Sequence, residues 1–112
     1  MAKRGYLGEF EQMVLLSILH LGDGAYGPGV SQLLEERVGR EVKRGALYAC
    51  LDRLERKGLV RWEIEAASSE QSGDRRRRFE VTDEGLEGLR RSVEAFRKLW
   101  TGLEEVLAGR PS

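Results

Sequence analysis

The side chains with most to offer chemically in this sequence are its arginines, and they fall into two groups. Residues 40–61 hold Arg40, Lys43, Arg44, Arg53, Arg56, Lys57 and Arg61 against Glu41, Asp52 and Glu55, an excess of four positive charges. Residues 72–82 hold Arg75, Arg76, Arg77 and Arg78 against Asp74 and Glu80, an excess of two. Residues 8–39 are the reverse: Arg37 stands alone against Glu9, Glu11, Asp23, Glu35 and Glu36. Nineteen basic residues balance nineteen acidic ones over the whole chain, so the feature is segregation rather than net charge. A surface polarised in this way suits electrostatic docking on phosphate.

The same inventory argues against catalysis. His20 is the single histidine and sits in a mostly apolar stretch, which reads as core or interface. Cys50 is the single cysteine, so an intramolecular disulfide and a cysteine-cluster metal site are excluded. No predictable histidine accompanies it to make a nucleophilic pair. There is no phosphate-binding glycine motif, and the carboxylates are scattered rather than spaced as metal ligands. The expectation is a protein that is not an enzyme and has no cofactor and no metal.

The chain has 112 residues, 40% hydrophobic and 34% charged, which suits one soluble domain with a modest core. No stretch approaches the ~18 apolar residues of a membrane span, and no signal-peptide pattern opens the chain. A cytoplasmic protein with no membrane partner is expected.

The basic groups must be held by definite elements. Leu47, Leu51 and Leu54 recur at i, i+4 and i+7, one apolar stripe of a helix over about 44–57, and Gly58 stands at its C-terminal cap. The opposite face carries Gly45, Ala49, Asp52 and Arg56, with Arg53 to one side and Tyr48 on the flank. Small residues early and arginines late let a helix backbone approach a flat anionic surface, and a DNA major groove admits a helix. The other reading is an ordinary solvated helix.

Two helices precede it. Over about 8–21, Phe10, Met13, Val14, Leu15, Leu16, Ile18, Leu19 and Leu21 surround the helix almost completely, so more than one domain core must cover it. Residues 1–7 read as an arm carrying Lys3 and Arg4. A second helix over about 28–38 begins with Pro28, buries Val30, Leu33, Leu34 and Val38, and stops at Gly39.

After Gly58 the hydrophobic period changes to two. Val60, Trp62 and Ile64 mark a strand over about 59–65, and Phe79 and Val81 mark another over about 77–82. Residues 66–75 make a polar hairpin loop. Three helices followed by an arginine-rich hairpin is the order of a winged helix-turn-helix, so the chain reads as mainly α with a small β-hairpin. Arg75, Arg76, Arg77 and Arg78 then lie where a wing reaches phosphate or a minor groove.

Thr82 caps a final helix over about 83–108. Leu86, Leu89, Val93, Phe96, Trp100, Leu103 and Leu107 follow at alternating spacings of three and four, a heptad seam. A helix of about 25 residues spans roughly 37 Å, more than a small domain covers. The chain therefore divides into a DNA-binding domain, 1–82, and a dimerisation helix, 83–108. The expected homodimer interface is Phe10, Val14, Leu89, Val93, Phe96, Trp100, Leu103 and Leu107.

These residues carry a resemblance. Leu7 to Gln12 at the first helix, Ala25-Tyr26-Gly27 at the second, and Gly45-Ala46-Leu47-Tyr48 with residues 54–60 in the third resemble the PadR family of bacterial transcriptional regulators. Arg76-Arg77-Arg78-Phe79 before Val81-Thr82-Asp83-Glu84-Gly85 completes the set, over about residues 6–107. The form resembled is the short one, with a single C-terminal helix. It implies a homodimeric winged-helix repressor of a near-palindromic operator in double-stranded DNA.

By position, the implied DNA contacts are Tyr26, Lys43, Arg44, Gly45, Tyr48, Ala49, Arg53, Arg75, Arg76 and Arg77. The sequence departs from the family near Lys43 and Arg44, where a small hydroxyl residue is common. Some relatives bind planar aromatic effectors between subunits, which points to Trp100 and Phe96 as ligand-binding; the alternative, favoured by the continuous seam, is that Trp100 is dimer core. The competing function is a dimeric winged-helix ligand- or protein-binding module without sequence-specific DNA binding.

Overall fold

A computed structural model describes residues 6–66 and 75–109. Helix α1 spans Glu9–Leu21, a single 3-10 turn covers Gly22–Gly24, α2 spans Gly27–Val38 and α3 spans Arg44–Arg56. Strands β1, Val60–Ala66, and β2, Arg75–Val81, form an antiparallel pair. Helix α4, Asp83–Trp100, and a short α5, Glu104–Leu107, complete the chain.

The stripe expected on α3 is the centre of the core. Leu47, Leu51 and Leu54 are buried against Val14, Leu15 and Ile18 of α1, Val30 and Leu34 of α2, and Phe79 of β2. Helix α3 ends because Gly58 takes a left-handed φ of 77°, which a side chain would disfavour. There the Leu59 amide donates back to the Leu54 carbonyl at 2.9 Å, and the chain turns directly into β1.

Register carries the hairpin's logic. Trp62 pairs with Phe79, Ile64 with Arg77, Glu65 with Arg76 and Glu63 with Arg78. Because side chains alternate between faces, Arg77 shares the face of Phe79, while Arg76 and Arg78 share the other. The ladder extends to Ala66 and Arg75, so β2 begins two residues before the strand expected from sequence. Beside β2, Tyr26 forms a bridge with Arg78, and the Phe79 amide donates to the Ala25 carbonyl at 2.8 Å. The start of α2 is thereby locked to the wing.

Thr82 joins wing to α4. Its Oγ1 accepts from the Gly85 amide at 3.0 Å and donates to the Gly58 carbonyl at 2.7 Å, while its amide donates to Leu59 at 3.0 Å. Near the other end of the buried face of α4, Ser92 Oγ accepts from the Leu7 amide at 2.9 Å. Leu7 is thus docked on the domain instead of belonging to a free arm. Lys3, Arg4 and the hairpin loop 67–74 lie outside the described residues.

The structure corrects three further expectations. The helix expected over 83–108 ends at Trp100, because Gly102 turns the chain with φ 96°. Val14 and Leu89, assigned to the dimer interface, are 0% and 5% exposed and belong to the protomer's own core. Val38, assigned to a buried stripe, is exposed at the last position of α2. Beyond Ser92, α4 runs off the domain with Val93, Phe96 and Trp100 exposed. Leu103 and Leu107 are exposed as well, and Phe10 is half-buried beneath the Arg40 guanidinium, 4.9 Å from its ring.

Candidate nucleic-acid interface

Residues from three elements converge on one groove of about 830 Å³, lined by Tyr26, Gly27, Pro28, Arg44, Gly45, Tyr48, Arg76 and Arg77. Helix α3 supplies Arg44 and Gly45 in its first turn, with Tyr48 one turn on. The N-terminus of α2 supplies Tyr26, Gly27 and Pro28, and β2 supplies the arginines. Tyr26, Arg44, Gly45, Tyr48, Arg76 and Arg77 are all among the DNA contacts implied by the sequence, and the fold brings them together.

Aromatic rings orient the cations. The Arg76 guanidinium lies 4.3 Å from the Tyr26 ring centre and that of Arg44 5.5 Å from the Tyr48 ring centre. Such stacking restrains a long side chain and leaves its N–H groups available. Tyr26 is held in turn by Glu65, to whose carboxylate its hydroxyl donates. That bond raises the phenol pKa of Tyr26 and, together with Arg78, keeps the Glu65 carboxyl below the ordinary range.

The remaining expected contacts divide differently. Lys43 is the N-cap residue of α3 and exposed, and Ala49 is exposed one turn beyond Gly45. Among the described residues, no ion pair occupies Lys43, Arg44 or Arg56. Arg75 opens β2 opposite Ala66, and its side chain lies outside what is described. Arg53, also expected to touch DNA, has a partner within the protein: its Nε donates to Glu11 Oε2 at 3.2 Å, beside Lys57 Nζ at 2.7 Å. Glu11 is 6% exposed. Burial pushes its carboxyl up, but bonds from Lys57, the Gly8 amide and Arg53 outweigh this and its pKa is lowered. A carboxylate held that way draws Arg53 toward α1, since a buried anion requires its partners.

Sequence reasoning missed Gly27 and Pro28, which line the groove, Glu65, which sets Tyr26, and Asp52 as a partner of Arg77. The signal for Glu65 was available: closing the hairpin puts Arg61, Glu63 and Glu65 opposite Glu80, Arg78 and Arg76, three opposed charges on one face. Arg78 is consumed there, donating to Glu65 at 3.1 Å and Glu63 at 3.4 Å. Cys50 is buried, which pushes its thiol up and away from nucleophilic use. Among the described residues no His, Cys, Asp or Glu cluster is placed to hold a metal, and no helix is long and apolar enough to cross a membrane.

The sequence model described as the Transcriptional regulator PadR-like family matches residues 15–91. The chain belongs to the PadR-like family. Members are transcriptional regulators, not enzymes. Solved PadR structures share the fold. A PadR-family transcriptional regulator from Eggerthella lenta is 29% identical, with TM-score 0.66 over 88% of this chain and 86% of that one. A PadR-family regulator from Clostridium difficile is 27% identical, with TM-score 0.63 over 89% and 96%. A PadR-like regulator from Bacillus cereus is 25% identical, with TM-score 0.66 over 88% and 90%. No curated relative matches the sequence.

Proposed function

We propose that this PadR-family chain is a dimeric, operator-binding repressor. The observation that carries the reading is the single groove uniting Arg44, Tyr48, Tyr26 and Arg76. The first turn of α3 enters the major groove, where Gly45 and Ala49 permit close approach and Arg44 meets a base edge or phosphate. Arg76, stacked on Tyr26, contacts the flanking backbone. Lys43 and Arg75 add phosphate contacts.

Two protomers join through α1 and α4. The exposed Leu16 and Leu19 of α1 and Val93, Phe96 and Trp100 of α4 support this, because apolar side chains left in water favour burial by a partner. Leu103 and Leu107 extend that surface past the Gly102 bend. A planar aromatic effector stacks on Phe96 or Trp100 between the subunits.

Selection of bound sequences from random DNA tests the reading directly. The expected product is a near-palindrome with half-sites about one helical turn apart. Absence of any enriched sequence overturns it in favour of a winged-helix module that binds protein or ligand.

A further inference from the structure

We propose that Arg77 is not a phosphate contact but a positioning residue that fastens the wing to the recognition helix. This rests on the reading of α3 and the wing as the DNA-binding surface. The four consecutive arginines cannot act alike, because β2 alternates. Arg77 shares the face of the fully buried Phe79, and its side chain is 33% exposed. Its guanidinium lies 5.0 Å from the Trp62 ring centre, 5.2 Å from Tyr48 and 5.7 Å from Phe79. The fourth contact is ionic, Nη1 to Asp52 Oδ1 at 3.6 Å. Tyr48 and Asp52 stand one turn apart on α3, and Trp62 and Phe79 are cross-strand partners in the wing.

One planar cation therefore touches both α3 and the wing. A guanidinium suits this, since its flat faces meet rings while its edge N–H groups reach a carboxylate. An ammonium has no such face. A phosphate would have to draw Arg77 away from Asp52 and the rings, which makes DNA contact by Arg77 a competitor of the tether.

Salt-dependent binding separates the two roles, because each phosphate neutralised by a protein cation contributes about 0.9 to the slope of log affinity against log salt. The measurement uses the full chain and a sequence selected by the parent, with Arg77→Ala, Arg77→Lys, Arg76→Ala and Asp52→Asn. Positioning predicts that Arg77→Ala loses about tenfold in affinity with the parental slope, and that Arg77→Lys fails to recover it. Arg76→Ala should instead lower the slope. Asp52→Asn gives opposite signs: as a tether partner its loss weakens binding, whereas an anion merely holding Arg77 off phosphate would, once neutralised, strengthen it. A reduced slope in Arg77→Ala, rescue by lysine, or tighter binding by Asp52→Asn overturns the proposal.

Amide hydrogen exchange without DNA is the second arm. Arg77→Ala should speed exchange at Phe79 and its strand neighbours about tenfold while the amides of α1 keep their parental rates; unchanged exchange in β2 overturns the tether. Failure of the parent to bind any DNA sinks the DNA reading instead, and the exchange result still decides the tether.

Discussion

The Tyr48 ring occupies the space that a side chain on Gly27 would need. A β-carbon built on Gly27 falls well inside van der Waals contact with the Tyr48 hydroxyl, and 3.2 Å from Cε2 of the same ring. Helix α2 thus begins with glycine where α3 presses its tyrosine. Gly27→Ala should displace Tyr48 from the groove and cost about 1–3 kcal/mol, the usual range for overpacking. Urea denaturation of Gly27→Ala, Tyr48→Ala and the double variant checks this. A double variant no more stable than the sum of the singles would refute the direct clash.

Glu11 makes stability depend on pH. Its folded pKa lies below the ordinary glutamate value of 4.5, so its contribution is complete above that value. The contribution is lost as pH falls through the lower folded value, where the carboxylate is protonated. Glu11→Gln should cost about 1–3 kcal/mol at neutral pH. The gap between variant and parent should close on acidification, as followed by denaturation midpoints. A gap constant down to strongly acidic pH would mean that the charge of Glu11 contributes nothing.

Arg44 and Arg53 should behave unlike each other in DNA binding. Arg44→Ala should lower the salt slope by about 0.9, the contribution of one phosphate, if its contact is to the backbone. If its contact is to a base, about 1–3 kcal/mol of discrimination at one position should go instead. Arg53→Ala should leave the slope alone and lower thermal stability by removing a partner of Glu11. Equal slope losses in both would place Arg53 on the DNA after all.

Thr82 holds the junction of α3, wing and α4. Thr82→Ala removes the cap of α4 and the bond to Gly58 together, with an expected cost of about 1–2 kcal/mol. Thr82→Ser keeps the hydroxyl and should retain most of it. Chemical denaturation distinguishes them; equal losses would assign the effect to the methyl group.

The uncovered half of α4 gives an assembly test. Light scattering should report twice the chain mass for the parent at micromolar concentration, and Phe96→Asp should shift the population to monomer. With Trp62 replaced, Trp100 emission should change on titration with a planar aromatic if an effector binds there. A silent signal would leave Trp100 as interface core.

Much of the architecture was legible because its causes are local. The stripe at Leu47, Leu51 and Leu54 needs only helical periodicity, and the stop at Gly58 needs only a residue that tolerates positive φ. The alternation through Trp62 and Phe79 needs only the pleat. The stop at Gly102 is equally local, since only a residue that tolerates positive φ turns the chain there, and heptad spacing does not register it. What tertiary packing decided is which partner each charge finds. Arg53 meets Glu11 across 42 residues, and Arg77 turns inward because β2 docks with the Phe79 face on the core. A basic residue's type sets that it seeks an anion or a ring; only the docking of helices and wing sets whether that partner is DNA or the protein itself.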